Sequence, residues 1–246
     1  MPYNNISFIL HEPQLSENIG ACARSLKNFN FSKLIVVEPK PTFPNDKIIA
    51  TSVGAKDIIK NAKVYQNLES AINKFDCVIA TTSRSRNKNI KHIKLNNLKN
   101  IDFKKKTAFL FGSEASGLSN DEISYANYTL HIPTNPKFKS LNLSHSVIII
   151  SQIVSSIIKT TKSNFAKSQK IQIATKRDIQ KMVDLCINNL EKKKFFKPIE
   201  KKPIMLENLR SIFYKMELSQ KEIRILSSVF ATLAKKAWLT KWRVSL

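Results

Sequence analysis

The chain reads as an α/β protein with a mostly parallel sheet, followed by a smaller helical part. Short apolar runs rich in Ile, Val and Phe recur at 6–10, 34–37, 77–80, 107–111 and 128–132, each short enough for a strand buried on both faces. Stretches of helical periodicity separate them, the alternation that builds a parallel sheet. All four glycines, Gly20, Gly54, Gly112 and Gly117, lie before residue 118, so the second half is built differently.

Taken in order, residues 6–10 form the first strand. From Asn18 to Phe29, Ile19, Cys22, Ala23, Leu26 and Phe29 share one helical face, and Ser16 and Asn18 offer capping oxygens at its start. Further helices are expected at about 51–61, 67–75, 119–126 and 142–160, between and after the remaining strands. Residues 161–174 are polar and aperiodic and read as a linker. Helical stretches follow at about 175–194, 203–216 and 219–237, and Pro198 and Pro203 separate the first two. The organisation expected is therefore a domain over 1–160, a linker over 161–174 and a basic helical extension over 175–246.

The 246 residues, 42% of them hydrophobic, suffice for a sizeable core. Cys22, Cys77 and Cys186 are odd in number and far apart, which argues against a disulfide framework or a zinc site and fits a reducing cytoplasm. Ile6–Leu10 is too short for a signal-peptide core and has no basic leader. The run Val147–Ile158 carries serines and a glutamine and reads as a buried helix, so no membrane partner is expected.

A net charge of +23 points to a polyanionic partner, because Lys and Arg that neutralise phosphates release counterions. Lysine outnumbers arginine 34 to 7, a bias that genome composition alone can produce. Arginine is the more telling residue, and Arg24, Arg84 and Arg86 all fall in candidate site segments. Residues 161–246 hold 20 basic and 7 acidic residues, against 21 and 11 in the first 160.

Three segments carry candidate chemistry. Asn18 and Arg24 lie on one helix, where a guanidinium can fork onto a phosphate or stabilise charge on a ribose oxygen. Gly112-Ser113-Glu114-Ala115-Ser116-Gly117 follows a strand and precedes a helix, so its amides can face a ligand and its glycines allow close approach. Ile132-Pro133 and Ser140-Leu141-Asn142 bracket a loop before the long apolar helix, with Ser140 also readable as a plain helix cap. A fourth segment, Thr81-Thr82-Ser83-Arg84-Ser85-Arg86, follows a strand's carboxyl end, where α/β sheets bind ligands. It opens a run of nine basic residues and one acid, Asp102, up to Lys106, in which Phe103 offers a ring for base stacking. His131 and His145 read as structural. No glycine-rich turn follows the first strand, where His11-Glu12-Pro13 stands instead, so a nucleotide-binding fold with its ligand at that turn is not indicated.

In their order, these blocks resemble the SPOUT class of RNA methyltransferases, and in finer wording its TrmJ-like branch, which methylates ribose 2′-hydroxyls in the tRNA anticodon loop. That branch usually has arginine where this chain has Ser113. The resemblance covers the first 160 residues strongly. It implies a carboxyl-terminal trefoil knot, a homodimer and S-adenosylmethionine as cofactor, with no metal. It implies a catalytic set of Arg24, Asn18, Glu114, Ser140 and Asn142, Glu114 pairing with polar groups of the first block. The cofactor would be held by Thr81, Thr82, Ser83, Gly112, Gly117, Ile132, Pro133, Ser140, Leu141 and Asn142. RNA would be gripped by Arg24, Arg84, Arg86, Lys88 and Lys91. The activity implied is 2′-O-methylation of tRNA at position 32. Ribosomal RNA as substrate, and a noncatalytic RNA-binding protein of the same fold, stay open as alternatives.

Overall fold

The computed structural model describes residues 3–83, 90–161 and 173–235. Seven strands form one sheet: β1 (Ile6–His11), β2 (Leu34–Val37), β3 (Lys63–Tyr65), β4 (Cys77–Thr81), β5 (Lys91–Lys94), β6 (Thr107–Phe111) and β7 (Tyr128–His131). Their order is β3-β2-β1-β6-β4-β7-β5, and every neighbouring pair is parallel. The central strands β1, β2 and β6 are buried at every position, because a parallel sheet is covered on both faces.

One face packs against α1 (Ser16–Asn28), α2 (Asp46–Thr51), α3 (Lys56–Lys60) and α6 (Leu143–Thr161). There Phe8, Phe109 and Phe111 of the sheet meet Ile19, Cys22 and Leu26 of α1 and Val147, Ile150 and Val154 of α6. α6 has the length and apolarity of a membrane span, and its inward row of Val147, Ile150 and Val154 packs on the core. The other face packs against α4 (Leu68–Ile72), α5 (Asn120–Ser124), α7 (Lys176–Lys192), α8 (Lys202–Tyr214) and α9 (Gln220–Lys235). Ile179, Met182, Val183, Tyr214 and Ile223 there share a core with Ile9, Val37, Val78 and Leu110. Polar ties fasten the same contact: Arg210 to Asp121 at 2.7 Å, Lys105 to Glu217 at 2.9 Å, and Gln180 Nε2 donating to Glu69 Oε2 at 2.9 Å. Deleting the carboxyl-terminal helices would therefore bare an apolar sheet face, as well as remove charge.

The secondary structure departs from the sequence reading in three respects. β3 and β5 are additional strands at the two sheet edges. Their sequences, Lys-Val-Tyr and Lys-His-Ile-Lys, lack an apolar run because edges exposed to water favour lysine. Of the helix expected at about 51–61 only α3 forms; α2, which ends where that range begins, is additional, and between the two Ala55 N donates to Ser52 O in a turn. Neither Ser16 nor Asn18 caps α1. The cap position is Leu15, without a side-chain bond, Ser16 Oγ instead accepts from Asn45 Nδ2 at 2.9 Å, and Asn18 is buried.

Lys176 opens α7 and is completely buried, donating through Nζ to Tyr214 O at 2.7 Å and lying 5.0 Å from the centre of the Tyr214 ring. Burial lowers its pKa from 10.5 to about 7, opposed by nearby Cys77, Glu217 and Asp76. Between pH 7 and 10 the unfolded chain thus holds a proton that the folded chain has lost, so stability rises with pH. Lys176 should contribute up to about 1.4 kcal/mol per pH unit to the slope in urea unfolding between pH 7 and 9, against an opposite contribution from Cys22, Cys77 and Cys186, whose thiol pKa values burial raises in the folded chain. Lys176→Met should remove that contribution and lower the slope. An equal slope in both proteins would contradict this reading of Lys176.

Candidate active site

The carboxyl ends of β6, β4 and β7, adjacent in the sheet, release three loops to one side. They surround a cavity of about 520 Å³ lined by Thr81, Thr82 and Ser83 after β4, Gly112 to Leu118 after β6, and Ile132, Lys139, Ser140 and Leu141 after β7. Phe111, Leu130 and Leu143 supply apolar wall. This is where open parallel sheets bind ligands, and the volume falls within the roughly 300–1,000 Å³ of small-molecule sites.

The loop after β6 owes its shape to two glycines. A Cβ on Gly112 would stand 2.3 Å from the Gly117 carbonyl carbon and 2.5 Å from Leu118 N, so the chain can fold back on itself only if that position is bare. Gly117 has φ +68°, in the left-handed region, and its N–H donates to Ser113 O at 2.8 Å to close the turn. Ser113, where the resembling branch carries arginine, is buried inside this turn.

Glu114 projects from the turn toward the start of α1. Its Oε2 accepts from Gln14 N at 2.8 Å, and its Oε1 from Leu15 N at 3.4 Å and Asn18 Nδ2 at 2.8 Å. The carboxylate thus meets the amides at the positive end of a helix, an arrangement its dipole favours. The expected caps are engaged elsewhere: Ser16 Oγ accepts from Asn45 Nδ2, and the Asn18 amide donates to Glu114. Asn18 Oδ1 accepts from Asn142 Nδ2 at 2.9 Å, and Asn142 Oδ1 accepts from Ser144 N at 2.8 Å and Ser144 Oγ at 2.7 Å. Each amide has one orientation compatible with its neighbours, so the series Ser144, Asn142, Asn18, Glu114 runs donor to acceptor in a single sense. Residues far apart in sequence are thereby joined: the start of α1, the loop after β6 and the entry to α6.

Among the residues singled out from sequence, Thr81, Thr82, Ser83, Gly112, Glu114, Gly117, Ile132, Ser140 and Leu141 line the cavity. Asn18 and Asn142 do not line it and belong to the bonded series. Pro133 is exposed and does not line it. Arg24 is exposed on α1, six residues beyond Asn18, hence about 9 Å along the axis and roughly 120° around it. It does not reach this chain's cavity, and among the described residues no ion pair or hydrogen bond engages its side chain. Lys91 is exposed at the start of β5. Arg84, Arg86 and Lys88 lie outside the described residues.

Phe103 corrects an expectation. Its ring is 6.2 Å from that of Phe109 and packs on the core, so it is not offered for stacking on a base. His131 Nδ1 lies 3.2 Å from Thr82 O, and so links the ends of β7 and β4, while His145 is exposed. Sequence reasoning missed Ser144 and the backbone of Gln14 and Leu15. The first had a local signal in Asn142-Leu143-Ser144, a spacing at which an Asn side chain commonly bonds two residues on.

The model of the SpoU rRNA methylase family matches residues 5–152, which contain every element of this cavity. The chain belongs to that family. Over 94% of its length it is 30% identical to the tRNA (cytidine-2′-O-)-methyltransferase TrmJ of Sulfolobus acidocaldarius, covering 96% of that protein. It is 27% identical to the tRNA (cytidine/uridine/adenosine-2′-O-)-methyltransferase TrmJ of Pseudomonas aeruginosa, over 89% of this chain and 90% of the relative. Among solved structures it is similar to TrmJ from Z. mobilis ZM4, with a TM-score of 0.83 and 30% identity over 96% of this chain and all of that one. Both the SpoU methylase body and the helices that follow it are therefore matched in these relatives.

Proposed function

We propose that this member of the SpoU methylase family is an S-adenosylmethionine-dependent tRNA 2′-O-ribose methyltransferase, acting on the anticodon loop as a cytoplasmic homodimer. The reading carries the trefoil knot of its class. Residues 1–160 would form the methyl-transfer body, 161–174 a connection and 175–246 a basic helical extension. The observation that carries the proposal is the bonded series Ser144, Asn142, Asn18, Glu114, which ties two walls of the cavity, the loop after β6 and the entry to α6, to the start of α1.

The cavity fits the cofactor chemically. Phe111, Leu118, Leu130 and Ile132 offer apolar wall for an adenine ring, and the hydroxyls of Thr81, Thr82, Ser83 and Ser140 offer partners for ribose and amino-acid groups. Glu114 places a carboxylate on the lining, which favours a cationic ligand. Gly112, Gly117 and Leu141 add backbone groups at close range. The cofactor supplies an electrophilic methyl group; this chain's residues supply position and charge.

Arg24 is turned away from the cavity of its own chain, and a second copy offers the way to bring it to a reaction centre. α6 offers an interface for that copy, since Ile148, Ile149 and Ile153 on it are only half-buried. Arg24 would hold the 2′-oxygen and its neighbouring phosphate in a forked contact. It is not assigned as proton acceptor, because a guanidinium keeps its proton at any ordinary pH. Arg84, Arg86, Lys88 and Lys91 would grip the RNA backbone.

Calorimetry with S-adenosylhomocysteine tests the cofactor half of the proposal. Binding of one molecule per chain is expected, and a folded protein that binds neither this ligand nor S-adenosylmethionine at millimolar concentration would overturn it.

A further inference from the structure

One loop on the rim of the cavity has no part in the roles assigned above. Between β7 and Ser140, residues Asn135-Pro136-Lys137-Phe138 close a turn. Phe138 N donates to Asn135 O at 2.9 Å, Lys137 N to Asn135 Oδ1 at 3.0 Å, and Thr134 Oγ1 reaches Lys139 O at 3.4 Å. Asn at the first position and Pro at the second suit such a turn, since one bonds the backbone two residues on and the other presets its φ. Phe138 is thus held by a defined scaffold, yet its side chain is 75% exposed, the most of any large apolar residue among the described residues. Lys137 and Lys139 flank it, Lys139 itself lines the cavity, and no acidic residue occurs from Thr134 to Asn142.

We infer that Phe138 is a stacking platform for a nucleobase of single-stranded RNA, the base of the target nucleotide or its immediate neighbour, with Lys137 and Lys139 on the adjoining phosphates. The inference rests on the RNA methyltransferase reading and extends it to how the substrate is held. A 2′-hydroxyl in a loop becomes accessible when its nucleotide is splayed out, and the base then loses its own stacking partners. An aromatic ring on the rim replaces them. It does so without choosing a base, because every base has a π-face. The two ammonium groups fit a phosphate backbone and not an apolar protein partner.

The test uses the full chain with Phe138→Ala, Phe138→Leu and Phe138→Trp, and an anticodon stem–loop RNA carrying 2-aminopurine in the loop. With the natural protein, 2-aminopurine fluorescence should be quenched on binding. Phe138→Ala should lose that quenching, weaken RNA binding roughly 5- to 150-fold and leave S-adenosylhomocysteine affinity unchanged. Phe138→Trp should behave as the natural protein, whereas Phe138→Leu should fail, because it restores apolar area without a π-face. RNA binding and quenching unchanged in Phe138→Ala would overturn the inference. So would full rescue by leucine, an equal loss of cofactor affinity, which would make the ring a cofactor lid, or a fall to monomer in sedimentation, which would make it a contact between copies. The binding arm needs no turnover. Quenching that depends on Phe138 in a protein that methylates no RNA would uphold the platform and sink the enzyme reading. Methylation indifferent to Phe138 would do the reverse.

Discussion

Arg24→Ala is expected to lower methyl transfer by on the order of 10²–10³-fold or more, the loss seen when a positioned donor is removed from a developing charge. Cofactor affinity should be nearly unchanged, because Arg24 does not line the cavity of its own chain. Arg24→Lys should fail as well, since a single ammonium cannot reproduce a planar fork. The exposure of Arg24 on α1 allows a sharper version. If its partner cavity belongs to a second copy, mixing Arg24→Ala with a variant whose cavity is spoiled should rebuild one working site per mixed dimer. Recovery of activity on mixing two inactive proteins is the expected result; no recovery in mixtures shown to exchange subunits would place Arg24 elsewhere.

Gly112→Ala supplies such a spoiled cavity and is the second large effect. The added methyl would lie 2.3 Å from the Gly117 carbonyl carbon, so the turn that carries Glu114 must move. Overpacking of this kind costs about 1–3 kcal/mol, and here the displaced backbone is the cavity wall. Cofactor affinity should fall at least tenfold by calorimetry, with helix content unchanged by circular dichroism. Gly117→Ala is the informative contrast. A Cβ there meets nothing within 4 Å, so only the left-handed backbone is penalised, at roughly 1–2 kcal/mol. Equal effects at the two positions would show that the close approach at Gly112 is not what shapes the wall.

How much of this was legible beforehand depended on whether a feature is local. β1, β2, β4, β6 and β7 showed as apolar runs because both faces of the sheet are covered. β3 and β5 did not, because edge strands trade apolar residues for lysine. The pairing of Glu114 with the first block came from resemblance, and the geometry gives its reason: a carboxylate at the amino end of α1, bonded to Asn18. The capping expectation failed because distant partners engage both side chains: Ser16 Oγ accepts from Asn45, and Asn18 is bonded to Glu114 and Asn142. Phe103 and Phe138 show the same limit. Both stand beside lysines in sequence, and only the fold turns one onto Phe109 and leaves the other in water.

The central claim, transfer of a methyl group to a ribose 2′-oxygen of tRNA, is tested most directly by mapping 2′-O-methylation across total RNA from cells with and without this protein. The sites lost should then be restored with purified protein and S-adenosylmethionine. The account predicts that the sites lost and restored lie in tRNA anticodon loops, and that Arg24→Ala restores none of them. Sites confined to ribosomal RNA, or a map unchanged by removing the protein, would contradict it.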